Sequence, residues 1–237
     1  SQQSAFSFDL RRWLGFDHDS PTQQPSPSDP QRTATQPYAP TAPLTSDQIY
    51  AQAKPYTVEV WITTNAIQAP AAGIILSSDG LILTNYHVIK ESSFDFVRDA
   101  NGKDYDGSII EVDPNLDLAL IQLEGASNLP TARLATESSH IQVGETVYAL
   151  GSPNGSHWKM TEAPVIQLQS DCGIVGLACI RTPQGFLNPG NSGGPLLDST
   201  GQVVGINRAI QQRTGEGVSI PVETVQQFIS RTVGIRQ

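Results

Sequence analysis

Residues 188–196 read Asn-Pro-Gly-Asn-Ser-Gly-Gly-Pro-Leu, a run in which one serine is enclosed by glycines. Glycines permit a sharp turn and bring backbone N–H groups close to a ligand. Such a turn presents the Ser192 hydroxyl and aims the N–H groups of Gly190 and Ser192 at one point, with Asn191 between them. A nucleophile beside donors for a developing oxyanion is what acyl transfer requires. The run is a weak signal by itself, because turns are rich in Gly and Ser.

Two further stretches place polar side chains at the ends of apolar runs. Residues 81–89 read Leu-Ile-Leu-Thr-Asn-Tyr-His-Val-Ile, so His87 follows an apolar run and a short polar segment. Residues 115–123 read Asn-Leu-Asp-Leu-Ala-Leu-Ile-Gln-Leu, so Asp117 opens an apolar strand at the edge of the core. A half-buried carboxylate needs a partner, and an imidazole N–H is a natural one. We therefore expect His87, Asp117 and Ser192 to act as general base, orienting carboxylate and nucleophile.

Each of these residues has an ordinary structural interpretation alone, but their order and surroundings are informative together. The order His, Asp, Ser, with gaps of 30 and 75 residues, is that of chymotrypsin-type proteases. The motifs Thr-Asn-Tyr-His-Val, Asp-Leu-Ala-Leu-Ile and Gly-Asn-Ser-Gly-Gly-Pro-Leu resemble three signatures of bacterial HtrA/Deg-type serine proteases. The resemblance runs from about residue 45 to the C-terminus. It implies a chymotrypsin-like double β-barrel of two six-stranded barrels, with His87 and Asp117 in the first, Ser192 in the second, and an oxyanion hole formed by Gly190, Asn191 and Ser192.

The pattern of short segments independently favours an all-β fold. Residues 57–235 break into short apolar or alternating segments separated by turn residues, which is typical of a barrel or sandwich. Two turns predict hairpins, Ser-Ser-Asp-Gly at 77–80 and Asn-Gly at 101–102, and Asp-Ser-Thr-Gly at 198–201 predicts another tight turn. The predicted strands are Val58–Ile62, Asp117–Leu123, Glu145–Leu150, Ala163–Leu168, Pro195–Asp198 and Gln202–Ile210.

The N-terminal part differs in composition from the rest. Seven of the 17 prolines lie within residues 21–43, a stretch with too few large apolar residues to offset the entropy of ordering. We expect residues 1–46 to be a largely disordered N-terminal segment and linker, and residues 47–237 to form one trypsin-like serine protease domain. Two helices are predicted at the ends of that domain, Ser46–Ala53 with its first serine as N-cap and Val222–Val233 with one apolar face.

The resemblance also implies where the substrate lies. Phe186 and Leu187 approach the S1 pocket a few residues before the nucleophile, so we expect a small or medium apolar residue at P1. The residues expected to contact the substrate backbone share one strand, Gly205–Ile210, and they are Asn207, Arg208 and Ala209. The Arg208 side chain could bind an acidic side chain of the substrate or point to solvent. We expect it to point to solvent, because Arg is usually exposed.

Composition excludes several classes of function. The net charge of −9, scattered along the chain, argues against nucleic-acid binding. The four histidines lie far apart without metal-ligand spacing, so neither a metal nor another cofactor is expected. No run of 18 apolar residues is present, so no membrane span is expected in this chain. Cys172 and Cys179 are equally compatible with a cross-strand disulfide and with two buried thiols.

We therefore expect a serine endopeptidase that cleaves extended or unfolded polypeptides. A non-catalytic scaffold or holdase with the protease fold, a glutamyl-endopeptidase-like specificity and a self-processing regulator are the alternatives. The resemblance implies an extracytoplasmic location, periplasmic or secreted, with membrane anchoring through a removed N-terminal segment as one form of it. It further implies a homotrimer joined through N-terminal aromatic residues. The chain ends soon after the predicted terminal helix, so we expect no PDZ domain.

Overall fold

The computed structural model describes residues 43–90, 92–138, 140–172 and 177–235. The prediction of disorder before residue 47 therefore lies almost wholly outside the described residues. The described residues, from Pro43 onward, form one compact unit. Within the described ranges, no helix combines the length and the apolar character that crossing a bilayer requires.

The first sheet has seven antiparallel strands in the described residues, in the order β5-β4-β1-β2-β3-β7-β6. These strands are β1 (Thr57–Thr64), β2 (Ile67–Ile75), β3 (Leu81–Thr84), β4 (Ser93–Arg98), β5 (Asp104–Tyr105), β6 (Gly107–Asp113) and β7 (Leu118–Leu123). The two edge strands, β5 and β6, are consecutive in sequence and separated only by Asp106. The sheet must therefore curl until its edges approach each other.

The second sheet repeats this arrangement, in the order β10-β11-β14-β13-β12-β8-β9. Its described strands are β8 (Thr146–Gly151), β9 (Lys159–Pro164), β10 (Gln167–Asp171), β11 (Ala178–Thr182), β12 (Pro195–Leu197), β13 (Val203–Ile210) and β14 (Gly217–Pro221). The edge strands β9 and β10 are again consecutive along the chain. The two curled half-barrels confirm the predicted all-β, chymotrypsin-like architecture.

Two details of the strand prediction were wrong. The described sheets have seven strands each rather than six, and one of the additional strands is the two-residue β5. The predicted strand Ala163–Leu168 is divided between β9 and β10, because the chain changes partners there. The Val165 N–H donates to the Glu145 carbonyl beside β8, whereas the Ile166 N–H donates to the Arg181 carbonyl in β11. This change of partners brings the two sheet edges together.

The three predicted turns are present, and each lies between two antiparallel strands. Residues 77–80 join β2 to β3, residues 101–102 lie between β4 and β5, and residues 198–201 join β12 to β13. In the last turn one Asp198 carboxylate oxygen accepts the backbone N–H groups of Thr200 and Gln202, each at 2.9 Å. Side-chain capping and the glycine at each turn thus explain why the sequence signal was reliable.

Three α-helices lie in the described residues: α1 (Ser46–Ala53), α2 (Tyr86–Lys90) and α3 (Val222–Ile235). The N-cap of α1 is Thr45 rather than the predicted Ser46, and a capping box joins the Thr45 and Gln48 side chains to each other's backbone N–H. Helix α3 buries Val225, Phe228 and Ile229, as its predicted apolar face requires. The one-turn helix α2 was not predicted, and it carries His87.

The loop that carries Ser192 lies between the two sheets. The Ala72 N–H in β2 donates to the Ser192 carbonyl at 2.9 Å. On the other side of the loop, the Gly193 N–H donates to the Asn207 carbonyl in β13 at 2.8 Å. The fold thus places this loop where side chains from both half-barrels can reach it.

Candidate active site

Asp117 is held in an unusual backbone conformation directly before β7. Its φ is +58°, in the left-handed region that costs most residues about 1–2 kcal/mol. The Asp117 carbonyl accepts the Tyr86 N–H at 3.1 Å and the Asn85 side-chain amide at 2.9 Å. These bonds stabilise the turn and tie it to the segment that begins α2.

The Asp117 carboxylate contacts both the backbone and the ring of His87. Oδ1 accepts the His87 backbone N–H at 2.8 Å, and Oδ2 lies 2.8 Å from Nδ1 of the ring. The carboxylate is buried, whereas the His87 side chain is 44% exposed toward the cleft. Asp117 therefore orients the imidazole with its Nε2 edge directed away from the carboxylate.

The environment of Asp117 favours its ionised form. Burial raises the pKa of its carboxyl, but the hydrogen bonds from the His87 ring and backbone and the charge of Arg208 outweigh that effect. The pKa of Asp117 consequently lies below its ordinary value of 3.8. A negative charge is thus present beside the imidazole at neutral pH.

The Ser192 loop turns at two glycines with positive φ, Gly190 at +103° and Gly193 at +86°. Asn191 is buried, and its side-chain oxygen accepts the Asn188 N–H at 2.9 Å. This hydrogen bond within the loop stabilises the turn. Among the described residues, neither the Gly190 nor the Ser192 N–H donates a hydrogen bond. These two donors therefore have no partner within the described part of the protein.

The hydroxyl of Ser192 has a partner that the sequence did not predict. Ser192 Oγ donates to the Arg208 carbonyl at 2.9 Å. A hydroxyl has one proton to donate, so it is not donated to His87 in this arrangement. His87 and Ser192 nevertheless line the same cavity of about 220 Å³.

The expectation that the Arg208 side chain points to solvent is wrong. Its Nε donates to Asp117 Oδ2 at 2.9 Å, and its Nη1 donates to the Cys172 carbonyl at 2.9 Å. The side chain is only 21% exposed. A buried carboxylate attracts any cation in reach, and the strand β13 places Arg208 within reach.

Of the two residues predicted to approach the S1 pocket, only Leu187 lines the cavity beside Ser192. Leu187 lines the 220 Å³ cavity together with Pro189 and Ile210, which make its wall largely apolar. The prediction for Phe186 was wrong, because its side chain is buried in the hydrophobic core of the second sheet and is not among the residues that line the cavity. Both side chains belong to this core, and only Leu187 also borders the cavity.

The predicted substrate-pairing strand is shorter than expected. Gly205 and Ile206 lie between β12 and β14 and have neighbours on both edges. The backbone of Asn207 bonds Gly193 and Gly194, and its side chain is buried between Pro195 and Ser219. An added strand can therefore pair only beyond Asn207.

The remaining part of β13, residues 208–210, has β14 along one edge. The backbone of Ala209 pairs with Val218, and its side chain lies outside the described ones. The Arg208 carbonyl points toward Ser192. This short edge is where the geometry leaves room for substrate backbone.

The two cysteines are joined in a disulfide. Their Cα atoms are 5.5 Å apart, a separation that suits such a bond. The bond holds the end of β10 beside β11, next to the carbonyl that Arg208 contacts. Over the described ranges, no group of three or more His, Cys, Asp or Glu side chains is arranged to hold a metal ion.

Comparison with known proteins agrees with this geometry. Residues 71–206 match the family described as the trypsin-like peptidase domain. A protein of Ectopseudomonas mendocina named "Probable periplasmic serine endoprotease DegP-like" is 40% identical over 168 residues, which are 68% of this chain and 34% of that protein. Serine protease HTR4 of Bos taurus is 38% identical over 165 residues, again 68% of this chain and 34% of that protein. The chain thus spans about a third of the length of these relatives.

A solved structure shows the same likeness. The HtrA-type protease AlgW with a tripeptide superposes with a TM-score of 0.72 at 27% identity, covering 82% of this chain and 65% of that one. The matched family region contains His87, Asp117 and Ser192. The chain belongs to the trypsin-like peptidase family, among its HtrA/DegP-like serine proteases.

Proposed function

We propose that this chain is a serine endopeptidase that hydrolyses peptide bonds of extended or unfolded polypeptides. One observation carries the proposal: the imidazole held by Asp117 and the Ser192 hydroxyl border one cavity beside two unused backbone N–H groups. Family membership supports the same activity.

The roles of the residues follow from their positions. His87 takes the Ser192 proton as the oxygen attacks the scissile carbonyl, and then protonates the leaving amine. Asp117 keeps the imidazole in the tautomer that accepts at Nε2 and stabilises its cation. The N–H groups of Gly190 and Ser192 stabilise the oxyanion, and one such donor is commonly worth ~3 kcal/mol.

The hydrogen bond between Ser192 and the Arg208 carbonyl allows substrate binding to activate the nucleophile. The backbone N–H of an extended peptide that pairs with β13 competes with Ser192 for that carbonyl. Displacement of the hydroxyl frees it to turn toward His87. The resting arrangement thus keeps the nucleophile occupied until substrate backbone is present.

The cavity supports a preference for small or medium apolar P1 residues. Its lining includes Leu187, Pro189 and Ile210, and about 220 Å³ accommodates a side chain of moderate size. The guanidinium of Arg208 is already paired with Asp117, so a glutamyl-endopeptidase-like specificity is disfavoured. A panel of peptides varied at P1 separates the two, because cleavage after Glu would contradict the apolar assignment.

Location and assembly are further parts of the proposal. The Cys172–Cys179 disulfide suits an oxidising compartment, and a relative is named as periplasmic, so we place the protein outside the cytoplasm. The homotrimer implied by the resemblance stays a prediction, which light scattering of the purified chain tests.

The test of the activity is casein degradation by the wild-type chain beside Ser192→Ala, with mass spectrometry of the fragments. Loss of the nucleophile should lower kcat by ~10⁶-fold. A fluorophosphonate probe should label the wild type alone. The same cleavage by both proteins would contradict the proposed role of Ser192, and an unlabelled, inactive wild type would favour the scaffold alternative.

A further inference from the structure

A buried glutamate on the first half-barrel lies outside the proposed reaction. Glu59 in β1 is 1% exposed, yet its carboxylate receives three polar groups. Ser152 Oγ donates to Oε1 at 2.5 Å, and His157 Nδ1 lies 2.5 Å from the same oxygen. Trp61 Nε1 donates to Oε2 at 3.1 Å. A carboxylate in such a place is tolerated only when it is hydrogen-bonded in this way.

Two of the three partners of Glu59, Ser152 and His157, come from the other half-barrel. Ser152 directly follows β8, and His157 lies five residues further along the same connection to β9. The same connection is tied to the first half again at its end, where Trp158 Nε1 donates to the Thr57 carbonyl at 2.9 Å. Glu59 therefore fixes a segment of the second half-barrel from across the interface.

That segment supports the oxyanion loop directly. The Ser152 N–H donates to the Gly190 carbonyl at 3.1 Å, and the Asn154 N–H donates to the Pro189 carbonyl at 2.8 Å. The Ser152 carbonyl also lies so close that a Cβ atom on Gly190 would come within 2.1 Å of it. The Ser152 bond holds the Gly190–Asn191 peptide, and the Asn154 bond holds the Pro189–Gly190 peptide, which carries the Gly190 N–H. The position of residues 152–154 therefore sets the direction of that N–H.

We propose that Glu59 is a positioning residue for the oxyanion hole, acting on Gly190 through Ser152 and the segment 152–154 that begins with it. The proposal deepens the proposed peptidase function and depends on it for its kinetic part. Its structural part, that the Glu59 carboxylate orders the Ser152–Gly190 contact, is independent of any activity.

Glu59→Gln tests this with little change in volume. The amide replaces one acceptor oxygen by a donor. Its N–H groups then face either Ser152 and His157, at the position of Oε1, or Trp61, at the position of Oε2. Glu162→Gln is a matched control, because Glu162 in β9 also accepts a serine hydroxyl, that of Ser46 at 2.7 Å, but on the surface and without contact to the oxyanion loop.

Kinetics provide the first readout. A shift of the oxyanion donors by a fraction of an ångström to 1 Å should reduce kcat by roughly 10- to 100-fold. KM should change little, since the cavity and the edge of β13 are untouched. Affinity for a peptide boronate, which forms a tetrahedral adduct with Ser192, should fall by the same factor as kcat. Glu162→Gln should match the wild type in all three quantities.

Backbone amide exchange provides the second readout. The amides of Ser152 and Asn154, which donate to Gly190 and Pro189, should exchange at least 10-fold faster in Glu59→Gln and at the wild-type rate in Glu162→Gln. Ser152→Ala removes one donor to Glu59 and leaves the carboxylate in place, so it serves if Glu59→Gln fails to fold. It should give the same changes in smaller degree.

The two readouts distinguish the two proposals. If the wild type hydrolyses peptides and Glu59→Gln keeps its kcat, or its exchange is unchanged, the positioning role is refuted while the peptidase stands. If the wild type is inactive, the peptidase proposal fails, and exchange alone decides on Glu59. A lower melting temperature with unchanged kcat and unchanged exchange would mean a purely structural glutamate and would also overturn the inference.

Discussion

Adding one methyl group at Gly190 should remove most of the activity while leaving the protein folded. A Cβ atom built on Gly190 comes 2.1 Å from the Ser152 carbonyl oxygen and 3.1 Å from the Pro153 Cα. Ordinary contact begins at 3.4 Å, so the chain must move apart by about 1.3 Å at this point. Both neighbours are backbone atoms and cannot turn aside as a flexible side chain can.

The magnitude follows from that displacement. A misplacement of 1 Å in a catalytic arrangement can cost ~10²-fold in rate, which corresponds to about 2.7 kcal/mol of transition-state stabilisation. Gly190→Ala should therefore lower kcat by about 100-fold or more. KM should stay within a few-fold of the wild-type value, because the apolar wall of the cavity is formed by other residues.

Gly102→Ala is the matched control for backbone strain. Gly102 also has a positive φ, +82°, but no heavy atom lies within 4 Å of the position of its Cβ. Both substitutions carry the cost of a left-handed alanine, about 1–2 kcal/mol. Both should lower the melting temperature, by roughly 2–4 °C for each kcal/mol. Only Gly190→Ala should lose activity.

The assay is steady-state hydrolysis of a peptide with an apolar P1 residue, with the active enzyme counted by fluorophosphonate labelling and the fold checked by circular dichroism. Gly190→Ala retaining kcat within about three-fold of the wild type would refute the reasoning, since the displaced peptide would then not carry an oxyanion donor. Equal losses in both variants would assign the effect to backbone strain rather than to the contact with Ser152.

Two further predictions concern Arg208 and the disulfide. Because the pKa of Asp117 is lowered in the folded protein, its stabilising effect is complete above the unfolded-state pKa of about 3.9 and is lost as pH falls through the folded value. Arg208→Met should raise that folded pKa and destabilise the protein by about 1.5–3 kcal/mol at neutral pH. In thermal melts the difference from wild type should shrink as the pH falls below about 4; a constant difference would contradict a charge effect. Replacing Cys172 and Cys179 by serine opens a loop with a sequence separation of 7 residues and should cost about 2.5 kcal/mol, measured by urea unfolding; wild-type stability in the double variant would count against the bond.

Local signals made much of the fold predictable. The three hairpin turns carry glycine or capping side chains whose preferences act within four residues, so they were recognised without tertiary information. The N-cap of α1 was misplaced by one residue because Thr45 and Ser46 are both good caps, and only the reciprocal bond with Gln48 separates them. Helix α2 was missed because five residues are too few for a helical period to show in the sequence.

The environment of the predicted site residues depends on contacts between segments that are distant in sequence, and there the prediction was less successful. Leu187 and Phe186 are adjacent and equally apolar, so only the packing of the second sheet decided which of them lines the cavity. Arg208 looked like a surface residue because the sequence places it 91 residues from Asp117. Its burial follows from the meeting of two half-barrels, which no local pattern encodes.

The sequence by itself determined the all-β class, the turns and the three residues proposed for the chemistry, because glycine-rich loops and strand ends express short-range preferences. Only the tertiary structure decided what surrounds those residues. The contact of Glu59 with Ser152 spans 93 positions, and that of Ser192 with the Arg208 carbonyl depends on how β13 leaves the sheet. Side-chain burial and hydrogen-bond partners of this kind arise from packing between distant segments, so a pattern read along the chain carries no information on them.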